Sequence, residues 1–336
     1  MIRSTIQRLK IILALPLFIL WQQPVFAKDA FGLDRFKNAA EDITKPEAPY
    51  RTKYGSQISV YSIKNQTTAQ APVARFLIQG GLHGNELLGS EFVAWLAQRF
   101  AAGESLLNTL NQGHVEIDFV PYANPDGTIQ FTRYNGNHIN LNRNFGVLWG
   151  VTKENPGSKA FSEVETRAIR DLLNMRQYKG AVDIHGYINW VVVPTAPEDR
   201  VTGLPGANPT VLAQYQRWTT FIKKETLTRL PGYEVKTAGS LGDGGAFEDY
   251  AWWGAGVPAA CLELFSQDRF IPRTLAEKIV DLLTPKAFGS SSILGQNSDM
   301  FIVYENYVHS LFQESLRIKS GQEKTSQMAS STGSKR

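Results

Sequence analysis

Gly80-Gly81-Leu82-His83-Gly84-Asn85-Glu86 follows the apolar run Phe76-Leu77-Ile78 and precedes a segment whose apolar residues recur at helical spacing. A strand-like run that breaks at glycines and restarts as a helix is the signature of one unit of an α/β sheet. Within the turn, His83 and Glu86 are three residues apart, so an imidazole nitrogen and a carboxylate oxygen can converge on one cation. The glycines let the backbone turn tightly beside them. Taken alone, such a fragment is also what a hydrogen-bonded loop histidine looks like, so the reading depends on partners elsewhere in the chain.

Working outward, Gln57 to Ile63 alternates as a strand, Val73 to Gln79 is a short buried strand, and Val115 to Tyr122 is another. Leu88, Phe92, Trp95, Leu96 and Phe100 mark a core-facing helix from Glu86 to Phe100 that Gly103 closes. After Asn124-Pro125-Asp126-Gly127 comes a long polar stretch to Pro156, and loops of that length in a compact domain are usually functional. Ser162 and Glu165 have capping-box spacing for a helix running to Tyr178. Strands are expected at Ala181–Ile184, Trp190–Val193, Tyr233–Thr237 and Ala259–Leu264. Helices are expected at Val211–Leu230, Phe247–Trp253, Thr274–Leu283 and Met300–Ile318. The alternation predicts an α/β domain with a largely parallel sheet, whose ligand site lies outside the strands' carboxyl ends.

The N-terminus carries Arg3, Arg8 and Lys10, then an apolar run from Ile11 to Trp21, then Val25 and Ala27 at the minus-three and minus-one positions of a cleavage site. This is a signal-peptide pattern over residues 1–27, too short to span a bilayer, and it predicts export to the periplasm or beyond with no membrane span remaining. Removing it leaves 32 Lys and Arg against 31 Asp and Glu. The near-neutral remainder gives no reason to invoke nucleic acid. The single cysteine, Cys261, excludes an internal disulfide and reads as a small buried hydrophobe. Residues 28–50 read as a lead-in strap, 51–318 as one catalytic domain, and the Ser/Thr/Lys-rich 319–336 as a disordered tail.

Of five histidines, His185 repeats the context of His83: it ends a strand and precedes a glycine. A catalytic zinc site wants about three protein ligands and an open position, which makes His185 the third candidate, with His138 in the polar loop as its rival. His114 and His309 read as surface or core histidines. Glu263 interrupts the apolar Ala259-Ala260-Cys261-Leu262-Glu263-Leu264-Phe265, where a carboxylate is rare unless paired or functional. It is a candidate general base, or else a Glu paired with an Arg across the sheet. Arg133, Asn142 and Arg143 suit a carboxylate clamp and an oxyanion donor, although loop arginines are commonly just solvated.

His83-Gly84-Asn85-Glu86, Asn124-Pro125-Asp126-Gly127, Arg133, Leu141-Asn142-Arg143-Asn144-Phe145, Ser162-Glu163-Val164-Glu165-Thr166, His185-Gly186 and Leu262-Glu263-Leu264 follow one another in an order and approximate spacing that resembles the M14 (carboxypeptidase A-like) zinc carboxypeptidases. The resemblance implies a mixed, mostly parallel, twisted eight-stranded sheet with helices on both faces. It implies one Zn2+ ion held by His83, Glu86 and His185, with Glu263 as general base and Arg133 polarising the scissile carbonyl. Asn142 and Arg143 would clamp the substrate's terminal carboxylate.

Counting back from Glu263 puts Leu241 where the family usually carries a mobile tyrosine, so no catalytic tyrosine is assigned. The same count puts Glu248 at the position that sets side-chain preference, favouring a substrate with an amine. The short loops resemble bacterial members that cleave γ-D-glutamyl-diaminopimelate bonds. The expected substrate is therefore a peptide or murein peptide, met by a monomeric exported enzyme. A general carboxypeptidase, an aspartoacylase-like deacylase and a non-catalytic binding protein on the same fold remain the alternatives.

Overall fold

The structure is a computed structural model that describes residues 50–65, 73–197 and 208–264 and the helix Ile293–Thr332, with that helix's side chains described over 299–318. The expected signal peptide, residues 28–49 of the strap, the loop 199–207 and the helix near 274–283 lie outside the described residues.

In chain order the elements are β1 (Tyr61–Lys64), β2 (Ala74–Gly80), α1 (Leu87–Ala102), β3 (Val115–Val120), α2 (Pro125–Gln130), α3 (Val164–Met175), β4 (Gly180–Gly186), β5 (Trp190–Val193), α4 (Pro209–Arg229), β6 (Glu234–Thr237), β7 (Ala259–Leu264) and α5 (Ile293–Thr332). The strands form one sheet in the order β1-β3-β2-β4-β7-β5-β6. Among the described residues the sheet therefore has seven strands, where eight are expected from the resemblance. β3, β2, β4 and β7 are mutually parallel, β5 and β6 pair parallel, and β1 and β5 run antiparallel to β3 and β7.

The central strands are buried on both faces, which is why Phe76-Leu77-Ile78 and Ala259–Leu264 read as near-continuous apolar runs rather than alternations. On one face Phe76, Ile78, Val182, Ile184, Ala260 and Leu262 pack against α1, α4 and α5. On the other, Leu77, Ala181 and Ala259 meet Ala168, Ile169 and Leu172 of α3. Helices thus cover both faces, as expected. Gly103 caps α1 with a left-handed φ of 77°, its N–H donating to the carbonyls of Arg99 and Phe100.

Three local expectations change. α3 begins at Val164 with Glu163 as its N-cap, and neither Ser162 nor Glu165 forms a capping box. The Ser162 hydroxyl instead donates to the Glu163 carboxylate at 2.7 Å. The segment expected as one helix over 247–253 is a turn, Phe247–Asp249, that widens into a π-helical turn, Tyr250–Gly254. The last helix starts before Met300 and continues past Ile318, its backbone helical to Thr332.

β2 lies where the chain reverses direction across the sheet, stepping to β3 on one side and then to β4 on the other. In open α/β sheets such a switch point forms a crevice beyond the strands' carboxyl ends. The turn after β2 fits there only because residue 84 has no side chain: a Cβ on Gly84 would overlap the backbone of Gly127 and Thr128 in α2. Asn124 locks the same contact, its amide donating to the Leu82 carbonyl at 3.3 Å while its side-chain oxygen accepts from Gly127 N at 2.9 Å. The two motifs are therefore one packed unit. Gly84→Ala is expected to destabilise the fold by about 3 kcal/mol, since overpacking against backbone has no flexible side chain to absorb it. Chemical denaturation would measure it, and a loss under 0.5 kcal/mol would contradict this packing.

Candidate metal centre

His83 and Glu86 occupy the turn after β2, with Glu86 as the residue preceding α1. His185 sits in β4, and the parallel register sets it beside Glu263 of β7 on one face of the sheet. The side chains of His83, Glu86 and His185 are buried and offer ligand atoms that all lie within 4.8 Å of one another. Nδ1 of His83 is 2.9 Å from Glu86 Oε1, and Nδ1 of His185 is 2.8 Å from Glu86 Oε2 and 3.0 Å from His83 Nδ1. Converging lone-pair atoms of this kind need a proton or a cation among them. The set His, Glu, His is a catalytic zinc donor set that leaves a further coordination position open.

Both rings are held from behind. His83 Nε2 is 3.1 Å from Asn140 Oδ1, and His185 Nε2 is 2.7 Å from Asp183 Oδ2. Because Asn140 and Asp183 present acceptors there, each ring carries its proton on Nε2 and turns Nδ1 toward the cluster. Burial lowers the pKa of His83. For His185 burial acts the same way but is outweighed by Asp183 and Glu86, which raise it well above the usual imidazole range. The Glu86 carboxyl is held far below the ordinary carboxylate range, the two histidines overcoming the effect of burial.

Around the cluster, Arg133 Nη1 lies 3.1 Å from His83 Nδ1 and 3.3 Å from Glu86 Oε1. Burial and the negative charge of Glu86 push the Glu263 carboxyl up to about 8, and its Oε2 has no hydrogen-bond partner among the described residues. Asn142 Oδ1 accepts from Phe247 N at 2.8 Å, tying the polar loop to the turn that carries Glu248. Arg143 donates to the Asn142 carbonyl at 2.8 Å and pairs with Asp243 at 2.5 Å and Glu154 at 3.3 Å. Glu248 is only 2% exposed, and burial together with Asp249 raises its carboxyl well above the usual range. One of its oxygens has no hydrogen-bond partner among the described residues. His138 is exposed and outside the cluster. Leu241 ends a short 3-10 turn; Tyr233 donates to the Glu263 carbonyl at 3.0 Å and Tyr250 bonds Asn174.

The polar loop keeps its shape through Asn144, which accepts from Glu163 N and Thr166 Oγ1, and through Asn135, which donates 2.8 Å to Glu163 and 3.4 Å to both oxygens of Glu165. Burial and the neighbouring Glu163 charge push the Glu165 carboxyl up to about 7, against an ordinary 4.5. A raised folded-state pKa means the native protein binds the proton more tightly than the unfolded chain. Its contribution is complete below pH 4.5 and is lost as pH rises through 7, up to about 3 kcal/mol. Wild-type stability measured by denaturant titration is therefore expected to fall between pH 5 and 8 more than that of Glu165→Gln. Parallel pH profiles would rule this out.

Asn140, Asp183, Glu154 and Asp243 are site residues that the motif reading passes over. Asp183 had a signal: it stands two residues before His185 on a strand, hence on the same face. Asn140 lies two residues before Asn142, but nothing in its sequence setting points it at His83.

Sheet and cluster define the class: an α/β protein with a buried His–Glu–His triad, suited to catalytic metal, at the carboxyl ends of parallel strands. The sequence profile of the zinc carboxypeptidases (Peptidase_M14) matches residues 32–279, and the chain belongs to that family. A carboxypeptidase B from Helicoverpa zea is 27% identical over 144 residues, 35% of this chain and 33% of that protein, so the chain matches about a third of this relative's length. In fold it is similar to carboxypeptidase A of Helicoverpa armigera, with TM-score 0.56 and 18% identity over 78% of this chain and 67% of that one. It is also similar to a metallo-carboxypeptidase of Burkholderia cenocepacia, with TM-score 0.52 and 19% identity over 80% and 63%.

Proposed function

We propose that the protein is an exported, monomeric zinc carboxypeptidase that hydrolyses the terminal peptide or amide bond of a peptide, and that its substrates are murein peptides. The observation that carries the reading is the convergence of the His83–Glu86–His185 triad, Glu263, Arg133 and Arg143 on one crevice. A bound zinc ion supplies Lewis acidity at such a site and lowers the pKa of coordinated water.

The chain's own residues do the rest. Glu263, beside His185, takes the proton of the attacking water and returns it to the leaving nitrogen. Arg133, whose Nη1 already reaches the metal ligands, donates to the carbonyl oxygen as negative charge develops there. Arg143 and Asn142 bind the terminal carboxylate, the guanidinium offering a bidentate fork. Asn140 and Asp183 keep both rings oriented.

Glu248 supports an amine-bearing substrate, because a buried carboxyl with an oxygen that has no partner among the described residues is a ready partner for an ammonium group. Diaminopimelate carries both the carboxylate and the amine this pairing needs, which favours murein peptides. Export rests on the basic, apolar and small-residue succession of residues 1–27. Among the described residues no helix is long and apolar enough to cross a membrane. Zinc-loaded protein is expected to release the terminal residue from muropeptides and to lose that activity with a chelator. Hydrolysis of ordinary peptides alone would shift the reading to a general carboxypeptidase, and hydrolysis of neither would remove it.

A further inference from the structure

Glu154 lies in the polar loop between the two arginines assigned to substrate. Its Oε1 is 3.2 Å from Arg133 Nε and its Oε2 is 3.3 Å from Arg143 Nη2. One carboxylate thus spans the arginine assigned to the terminal carboxylate and the one assigned to the carbonyl oxygen. The three side chains differ sharply in exposure: Arg143 is 9% accessible, Arg133 32% and Glu154 40%. Asp243, 20% accessible, holds Arg143 from another direction at 2.5 Å.

The local backbone explains why Glu154 is the member that can leave. Asp243 precedes Gly244 and Gly245, which are packed tightly on Leu148 and Arg143, and Gly245 N donates to the Val147 carbonyl at 2.9 Å. That arrangement fixes Asp243. On the far side of Glu154 the chain is also anchored, since Asn140 N donates to the Asn155 carbonyl and Trp149 Nε1 to the Pro156 carbonyl, both at 2.9 Å. Among the described residues Glu154 itself is held, apart from its ion pairs, by a backbone bond of 3.3 Å to Thr152 Oγ1, in a stretch where Gly150, Val151 and Lys153 are exposed. A long exposed side chain beside a fixed anchor swings out by rotamer change alone.

We infer that Glu154 is a specificity-determining residue that competes with the substrate's terminal carboxylate for Arg143, its other oxygen meanwhile resting on Arg133. This rests on the reading of those arginines given under Proposed function. An incoming carboxylate exchanges with Glu154, while Asp243 stays on Arg143. The Arg143 Nε, buried and without a partner among the described residues, is a further donor available to the newcomer. Ligands that present only a carboxylate gain little from the exchange, because one anion replaces another. Ligands that also place an ammonium near Glu248 gain a second contact. Glu154 thereby weakens binding of ligands with a terminal carboxylate relative to the same ligands without one.

The test is calorimetric binding of Nα-acetyl-L-lysine and of its C-terminal amide to zinc-loaded wild type, Glu154→Gln and Glu154→Ala. Both variants should bind the acid about three- to tenfold more tightly than wild type, the range expected for losing two partly exposed ion pairs, and bind the amide unchanged. In hydrolysis the gain should appear in KM rather than kcat. An acid-to-amide preference that moves by less than twofold, including the case where neither ligand binds, overturns the inference. Tighter acid binding by the variants without hydrolysis of any peptide would uphold it while removing the carboxypeptidase reading.

Discussion

Zinc-loaded Glu263→Gln protein is expected to lose about a thousandfold in kcat while keeping its zinc and its affinity for substrate. The carboxyl sits in register with His185 across β4 and β7, so it borders the His83–Glu86–His185 cluster without belonging to it. Gln preserves its volume and one acceptor oxygen, which keeps the packing of β7 intact, but it cannot take a proton. General-base contributions run from roughly a hundred- to ten-thousandfold. A fall confined to kcat identifies loss of an interaction made only in the transition state. Zinc content by atomic absorption and KM on the most responsive peptide separate this from loss of metal. If Glu263→Gln kept more than a tenth of the wild-type kcat, the proton would have to be carried by another group.

Why Glu263 was legible from the sequence, and Glu154 was not, follows from where each stands. A charged residue inside Ala259–Leu264 contradicts its surroundings, and that contradiction is visible without coordinates. The central strands β2, β4 and β7 were likewise readable, because parallel strands buried on both faces advertise themselves as apolar runs with glycines or polar residues at their ends. The positions of His83 and His185 followed from that reading, since both stand at strand ends beside glycine. Glu154 and Asp243, by contrast, lie in polar loops where acids are common and where only the fold of the loop decides which arginine they meet.

The errors have equally local causes. Ser162 and Glu165 match a capping box, but the Asn135 amide donates to the Glu165 carboxylate and the Asn144 amide to the Ser162 hydroxyl, claiming the groups that would have formed it. The turn after Gly245 carries a π-helical widening at Tyr250–Gly254, and apolar periodicity cannot separate that from an ordinary helix. Glu248 was singled out by counting residues back from Glu263. That count fixes its place in the chain but could not say that the carboxyl would be almost fully enclosed.

Removing one imidazole should separate the ligand from the residue behind it. His185→Ala is expected to weaken zinc binding on the order of a thousandfold, since apparent zinc binding free energies of about 10–16 kcal/mol are shared among three or four ligands. Asp183→Asn should weaken it less, by about 10- to 100-fold, because it leaves all three ligands and changes only the acceptor that orients His185. The sign follows from the hydrogen bond: the carboxylate, 2.7 Å from Nε2, strengthens Nδ1 as a donor to a cation, and an amide oxygen does so more weakly. Competition with a chromophoric chelator at fixed pH measures both constants. In the double variant the Asp183 change should have almost no further effect, because the ring it orients is gone. Independent, additive losses would mean that Asp183 acts on the fold of β4 rather than through His185.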